Sequence, residues 1–165
     1  MPACPAIPAE PDVHVLRAAT PETTDAIGRA LASALGPGDL VALHGPLGAG
    51  KSHLARAIIR ARLADAEAEV PSPSYTLVNV YDIGDCEIWH ADLYRIDPVE
   101  LDEIGLADAP PDAILLVEWA ERWPDLPQRR LEIALAIAPD GGRDVTVTAR
   151  GAGWERARRA LGALG

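Results

Sequence analysis

The sequence predicts an α/β sandwich in three layers around a mixed parallel and antiparallel sheet, and three observations carry that expectation. An apolar run, Leu40-Val41-Ala42-Leu43, leads straight into a glycine-rich turn and then into apolar residues at helical spacing. A second run, Ala113-Ile114-Leu115-Leu116-Val117, is apolar without alternation, as a strand covered on both faces must be. Between them, Leu77 to Ile83 and Cys86 to Ala91 are separated by Gly84-Asp85 alone, a glycine-first turn that makes an antiparallel hairpin. Buried parallel strands joined through helices, with a hairpin added, place helical layers on both faces of a mixed sheet.

Taken in order, residues 1–12 hold four prolines and neither a basic start nor a long apolar core. They read as a disordered lead-in rather than a secretory leader, ahead of a single domain over 13–165. Val13 to Ala18 alternates weakly, as a first strand. Thr20 as N-cap and Pro21 at the first helical position open a helix striped by Ile27, Ala30, Leu31, Ala34 and Leu35. Gly36-Pro37-Gly38-Asp39 turns the chain into the first apolar run. After the glycine-rich turn, Leu54, Ala55, Ile58, Ile59 and Leu63 mark the next helix. Val70-Pro71-Ser72-Pro73-Ser74-Tyr75-Thr76 cannot be helix interior and reads as an extended loop. Asp97-Pro98-Val99-Glu100 offers a capping box for a short helix carrying Leu101 and Ile104. Leu131, Ile133, Leu135 and Ile137 alternate as a strand, Asp140-Gly141-Gly142-Arg143 turns, and Val145 to Ala149 pairs back. A last helix shows Trp154, Ala157, Leu161 and Leu164 on one side.

The glycine-rich turn, Gly45-Pro46-Leu47-Gly48-Ala49-Gly50-Lys51-Ser52, fits G-x-x-x-x-G-K-[ST], the phosphate-binding P-loop, and makes the sandwich P-loop NTPase-like. The glycines let successive amides point at an anion, and the helix that starts near Lys51 adds its positive end. Lys51 is the chain's only lysine among 15 basic residues. A chain that uses arginine elsewhere keeps here a compact ammonium, suited to reaching β- and γ-phosphates. The Ser52 hydroxyl suits Mg²⁺, which takes a few protein oxygens plus phosphate oxygens.

The formal net charge of -10 argues against a surface built for general nucleic-acid binding. The tail from Arg143 is nevertheless basic, with five arginines against Asp144 and Glu155. It reads as a solvated helix face, with a docking patch for RNA or an acidic partner as the alternative. No run approaches a membrane span. Cys4 and Cys86 have no metal or redox spacing and read as free thiols in a reducing, cytoplasmic setting.

Two further groups carry chemistry. His90-Ala91-Asp92-Leu93-Tyr94-Arg95 closes the hairpin's second strand, where His90, Asp92 and Tyr94 would share a face. Asp92 is placed either to bind Mg²⁺ through water or to orient an attacking water. His90 either holds that carboxylate or is structural, and Tyr94 and Arg95 read as structural or interface residues. Glu118 ends the buried strand, where a Walker B acid sits, and Trp119 reads as packing.

These stretches together closely resemble the bacterial tRNA threonylcarbamoyladenosine biosynthesis ATPases, the TsaE (YjeE) family. The likeness lies in the G-x-L-G-A-G-K-S loop, Ser72-Pro73-Ser74-Tyr75, the His-x-Asp-x-Tyr-Arg block and Glu118-Trp119, in order from about Thr20 to Arg150. The resemblance implies an ATPase that binds ATP or ADP with Mg²⁺ and joins a threonylcarbamoyltransferase subunit and its inactive paralogue. It implies that tRNA, modified at the adenosine beside the anticodon, is met only through that complex, and that the chain is a monomer when alone. It implies Lys51, Asp92 and Glu118 as the catalytic set, with Ser52, Glu118 and Asp92 around the metal. Nucleotide contacts would come from Gly45, Leu47, Gly48, Ala49, Gly50, Lys51 and Ser52, joined by Thr24 and Arg143, with Glu22, Gly28 and Gly142 also near the nucleotide. Ser72, Ser74, Tyr75 and Thr76 would form a switch-like loop near the γ-phosphate. The family usually has Asp at Pro46 and Thr at Ser52 and Ser74. Both serines keep the hydroxyl, whereas Pro46 removes a carboxylate and a backbone donor.

Other readings compete. Asp102-Glu103-Ile104-Gly105 spells the D-x-x-G of a GTPase, but Asn79 is the only asparagine, so N-K-x-D cannot exist. A small-molecule kinase fits the size, yet between the P-loop helix and Glu118 the only arginine for a lid is Arg95. A nucleotide-gated interaction module differs only in whether hydrolysis matters.

Overall fold

The computed structural model describes residues 12–18 and 20–165; the expected lead-in and Cys4 lie almost wholly or wholly outside them. Among the described residues seven strands form one sheet: β1 (Asp12–Ala18), β2 (Leu40–His44), β3 (Val78–Asp82), β4 (Glu87–Asp92), β5 (Ile114–Glu118), β6 (Arg130–Ile137) and β7 (Arg143–Arg150). Their order is β1-β7-β6-β2-β5-β4-β3. The centre is parallel, with β2 between β5 and β6 and β4 beside β5, while the β1–β7, β6–β7 and β3–β4 pairs are antiparallel. The hairpin closes as expected, with the Ile83 amide donating to the Cys86 carbonyl around Gly84-Asp85.

Alternation along β2 divides the core. Val41 and Leu43 face α1 (Pro21–Ala34), α2 (Lys51–Leu63) and α3 (Glu155–Gly162), in a cluster with Ile27, Leu31, Leu54, Ile58 and Leu161. Leu40 and Ala42 face the other way, packing with Leu93, Ile96, Leu106 and Ala120. That second face is covered by three short 3₁₀ segments, Pro98–Ile104, Leu106–Asp108 and Ala120–Arg122, so the third layer exists but is thinner than a layer of α-helices. The Asp97 capping box forms as expected, with a 3₁₀ rather than an α geometry behind it. Thr20 caps α1, accepting the Thr23 amide at 3.3 Å.

α1 and α2 approach closely because α1 carries Gly28 where they cross. A Cβ built there would stand 2.5 Å from the Cβ of Ala57. Gly28 therefore serves helix packing. At the far end of the chain, Trp154, Ala157 and Leu161 are buried as their spacing predicts, whereas Leu164 lies past the end of α3 and is 40% exposed. The basic tail is largely spent on the fold: Arg150 binds Glu132 at 2.6 Å, Arg156 the Ser33 carbonyl at 3.2 Å, and Arg158 pairs with Asp12. The docking-patch alternative loses those three arginines.

Candidate nucleotide and metal site

The parallel pairing of β2, β4 and β5 brings three chain reversals to one edge of the sheet. Residues just past the C-terminal ends of such strands line the crevice where α/β folds bind ligands. Register sets the detail: Leu43 of β2 lies opposite Glu118 of β5, and Glu118 lies opposite Asp92 of β4. One cavity of about 240 Å³ is lined by Lys51, Ser52, Ser74, Asp92, Glu118 and Trp119, with Leu47, Gly48 and Gly50 at its P-loop side. Residues from Leu47 to Trp119, drawn from four separate stretches of the sequence, thus converge on one hollow.

The P-loop wraps as its composition requires. Gly45 has φ 140°, and a Cβ there would meet the Leu135 carbonyl oxygen at 2.4 Å, so only glycine lets β6 lie alongside. Gly50, also at positive φ, precedes α2 and supplies no side-chain cap, which leaves the first amides of the helix to an outside acceptor. Pro46 cannot donate, but its carbonyl accepts the Ala49 amide at 3.1 Å. Arg143 braces the loop from β7: its Nε donates to the Ala49 carbonyl (2.8 Å) and Nη2 to the Gly48 carbonyl (3.0 Å). Ala49 itself is fully buried, and Leu47 is largely exposed.

Lys51 is 4% exposed. Its Nζ donates to the carbonyls of Gly45 (2.6 Å) and Pro46 (2.9 Å) and stands 3.8 Å from the centroid of the Trp119 ring. Burial lowers the pKa of the ammonium, and the nearby carboxylates of Glu118, Glu121 and Asp92 oppose that. Trp119 holds φ 57°, in the left-handed region, which turns its indole back over the lysine. Trp119 also packs against the second core cluster, as the sequence expects, so it serves core and site together, and the Tyr94 ring lies tilted against it at 4.7 Å.

Glu118 is 2% exposed and uses both oxygens. Ser52 Oγ donates to Oε2 (2.8 Å), and His90 Nε2 lies 2.7 Å from Oε1. The histidine thus serves Glu118 rather than Asp92, the partner that one of its two sequence readings offers. Asp92 accepts Ser74 Oγ at Oδ2 (3.1 Å) and the Tyr94 amide at Oδ1 (2.9 Å). That last bond turns the chain just past the end of β4, and Tyr94 lines the cavity beside Asp92 and Trp119.

The loop of residues 72–76 reaches the cavity only at Ser74, which Ser72 Oγ contacts at 2.8 Å. Tyr75 is 83% exposed beneath the Arg95 guanidinium, 4.7 Å away. Thr76 turns to Asn79, at 2.6 Å, and lines a separate hollow with Leu77 and Ile96. Leu77 carries the strain of this corner, at φ 67°.

Beside the P-loop lies a second hollow of about 140 Å³, lined by Thr20, Pro21, Thr24, His53, Gly142 and Arg143. Thr24 and Arg143 both fall here. Glu22 does not line it. His53 borders both hollows and sits 2.8 Å from Asp25; together with Thr20 and Pro21 it is a site residue that sequence reasoning passed over. The capping signature of Thr20-Pro21 hid a second use, and nothing local marked His53 beyond its place one residue after Ser52.

Among the described residues no group of three His, Cys, Asp or Glu side chains could hold a metal alone. The oxygen pair of Ser52 and Glu118 does fit Mg²⁺, which binds one or two protein groups and completes its octahedron with phosphate and water.

The family model described as threonylcarbamoyl adenosine biosynthesis protein TsaE matches residues 18–145. The tRNA threonylcarbamoyladenosine biosynthesis protein TsaE of Bacillus subtilis is 36% identical over 141 residues, covering 84% of this chain and 87% of that protein. The protein of the same name from Nostoc is 33% identical over 134 residues, covering 77% and 80%. The crystal structure of YdiB from Bacillus subtilis superposes with a TM-score of 0.71 at 30% identity, covering 93% of this chain and 96% of that one.

Proposed function

The chain belongs to the TsaE family, and from that premise we propose that it acts in tRNA threonylcarbamoyladenosine biosynthesis as an ATPase. Its partners in this reading are a threonylcarbamoyltransferase subunit and that subunit's inactive paralogue, with tRNA met only through their complex. The observation that carries the reading is the convergence of Lys51, Ser52, Glu118 and Asp92 on one cavity at the mouth of the P-loop. The triphosphate would lie along the loop amides and the first turn of α2, with the base and sugar toward Thr24 and Arg143. Lys51 would leave its two carbonyls and the Trp119 face to pair with the β- and γ-phosphates. Ser52 and Glu118 would hold Mg²⁺, which when bound neutralises charge on the phosphate oxygens. Asp92, tied to Ser74, is placed to orient the attacking water as the switch loop closes.

The kinase alternative finds little support, because Arg95, the single arginine available for a lid, is stacked on Tyr75. The test is phosphate release from Mg·ATP, alone and with the transferase pair, with GTP and small hydroxylated acceptors as controls. Weak release alone and stimulation by the pair is the expected result. A phosphorylated acceptor and indifference to the pair would replace this reading with the kinase.

A further inference from the structure

We propose that His90 is a positioning residue for the metal site: its Nε2–H fixes Glu118 Oε1 so that Oε2 stays turned toward Ser52 and the ion they would share. The proposal rests on the metal reading given above. Three observations carry it. His90 is 1% exposed and Glu118 2%, so no water competes for the 2.7 Å bond between them. An ionised carboxylate only accepts, which assigns the shared hydrogen to Nε2. The other ring nitrogen, Nδ1, is buried without a partner among the described residues.

That orphan is informative. A histidine kept only to fill the core would leave both nitrogens as liabilities, and an apolar residue of similar size would avoid the cost. One that spends Nε2 on the carboxylate and leaves Nδ1 unmet is retained for the carboxylate. Without this bond Glu118 would be free to rotate about its last torsion, which is broad and roughly two-fold for such groups. The Ser52–Oε2 contact at 2.8 Å would then no longer be the favoured arrangement. Outer partners of this kind typically change metal affinity by about 10- to 100-fold when removed.

The experiment compares two polar variants of the full chain. In His90→Gln the amide nitrogen falls near the position of Nε2 and can donate to Glu118, whereas in His90→Asn it falls near Nδ1 and cannot reach. The readout is ADP affinity by calorimetry, in EDTA and in Mg²⁺, because binding separates the metal's contribution from turnover. We expect metal-free affinity to agree within about twofold for wild type and both variants. The gain on adding Mg²⁺ should fall by about tenfold or more in His90→Asn and be largely restored in His90→Gln. A full gain in His90→Asn, or equal losses in both variants, would overturn the positioning role alone. A wild-type protein that binds ADP equally with and without Mg²⁺ would remove the metal reading and this proposal with it.

Discussion

Gly28→Ala is the substitution whose effect follows most directly from the geometry. The added methyl would stand 2.5 Å from Ala57 Cβ and 3.3 Å from both the Ala57 carbonyl carbon and the Ile58 nitrogen. Carbon atoms pack best near about 3.5–4.0 Å, so the two helices must part by roughly 1 Å. The obstruction is a methyl and a helix backbone, so no side-chain rotation relieves it. Overpacking of this sort costs about 1–3 kcal/mol, and alanine's better helix propensity returns about 0.5–1 kcal/mol. With helix backbone among the obstructing atoms the upper part of the overpacking range applies, so the net expectation is a loss of about 1–2 kcal/mol, or roughly 2–8 °C in melting temperature for a chain of this size. Equilibrium unfolding in urea measures it directly, with the slope unchanged if the unfolded state is unaffected. The partner change Ala57→Gly removes the opposing methyl. The double variant should therefore be more stable than the sum of the two single effects, by about 1 kcal/mol or more. A Gly28→Ala protein as stable as wild type, or strict additivity in the cycle, would refute the close approach of α1 and α2 as the reason for this glycine. Because α2 begins at Lys51, the same variant should also weaken nucleotide binding by shifting Lys51 and Ser52, although no cavity residue is itself replaced.

Lys51→Ala should lower ATP turnover by a factor on the order of 10² or more, measured as phosphate release; normal turnover would sink the P-loop assignment. With Lys51 held below its ordinary pKa by burial, phosphates bind the protonated form and draw the pKa back up. Nucleotide affinity should therefore fall as pH rises through the lowered value, toward 10.5, and a flat alkaline profile in wild type would contradict this. Glu132 is costly to bury, but the hydrogen bonds and charges of Arg150 and Arg130 outweigh that and lower its pKa. Its contribution is thus present above about pH 4.5 and lost as pH falls below that value, so Glu132→Gln should cost about 1–2 kcal/mol at neutral pH and flatten the acid limb of the stability curve. Ser74→Ala removes the one bond from the switch loop to Asp92; hydrogen exchange of the amides from Tyr75 to Asn79 should quicken, and unchanged protection would show that the loop is held elsewhere.

What was legible in the sequence and what was not divides along the range of the interactions. The P-loop, the Thr20 cap, the Asp97 capping box and the hairpin around Gly84-Asp85 are each set within a few residues, and the structure bears them out. The far layer was legible as packing but not as geometry, because Leu101 and Ile104 need to face the sheet and a 3₁₀ turn does that as well as an α turn. The partner of His90 was illegible for a different reason. Alternation puts His90 and Asp92 on one face of β4, which suggests that they meet. The pairing of β4 with β5 instead sets Asp92 opposite Glu118, and a side chain of histidine's length reaches across to the neighbouring strand rather than along its own. Trp119 is legible in part: its place after a buried strand reads as packing, and it does pack on the second core cluster, while its contact with Lys51 goes with a left-handed backbone at φ 57° that no local pattern marks. What the local pattern leaves out in both cases is how the two acids and the lysine are held. The groups that would meet phosphate and metal are named by local motif, while the groups that aim them depend on strand register and on a single strained residue. Substitutions at His90 and Trp119 are accordingly the ones expected to change how well the site works while leaving its motif intact.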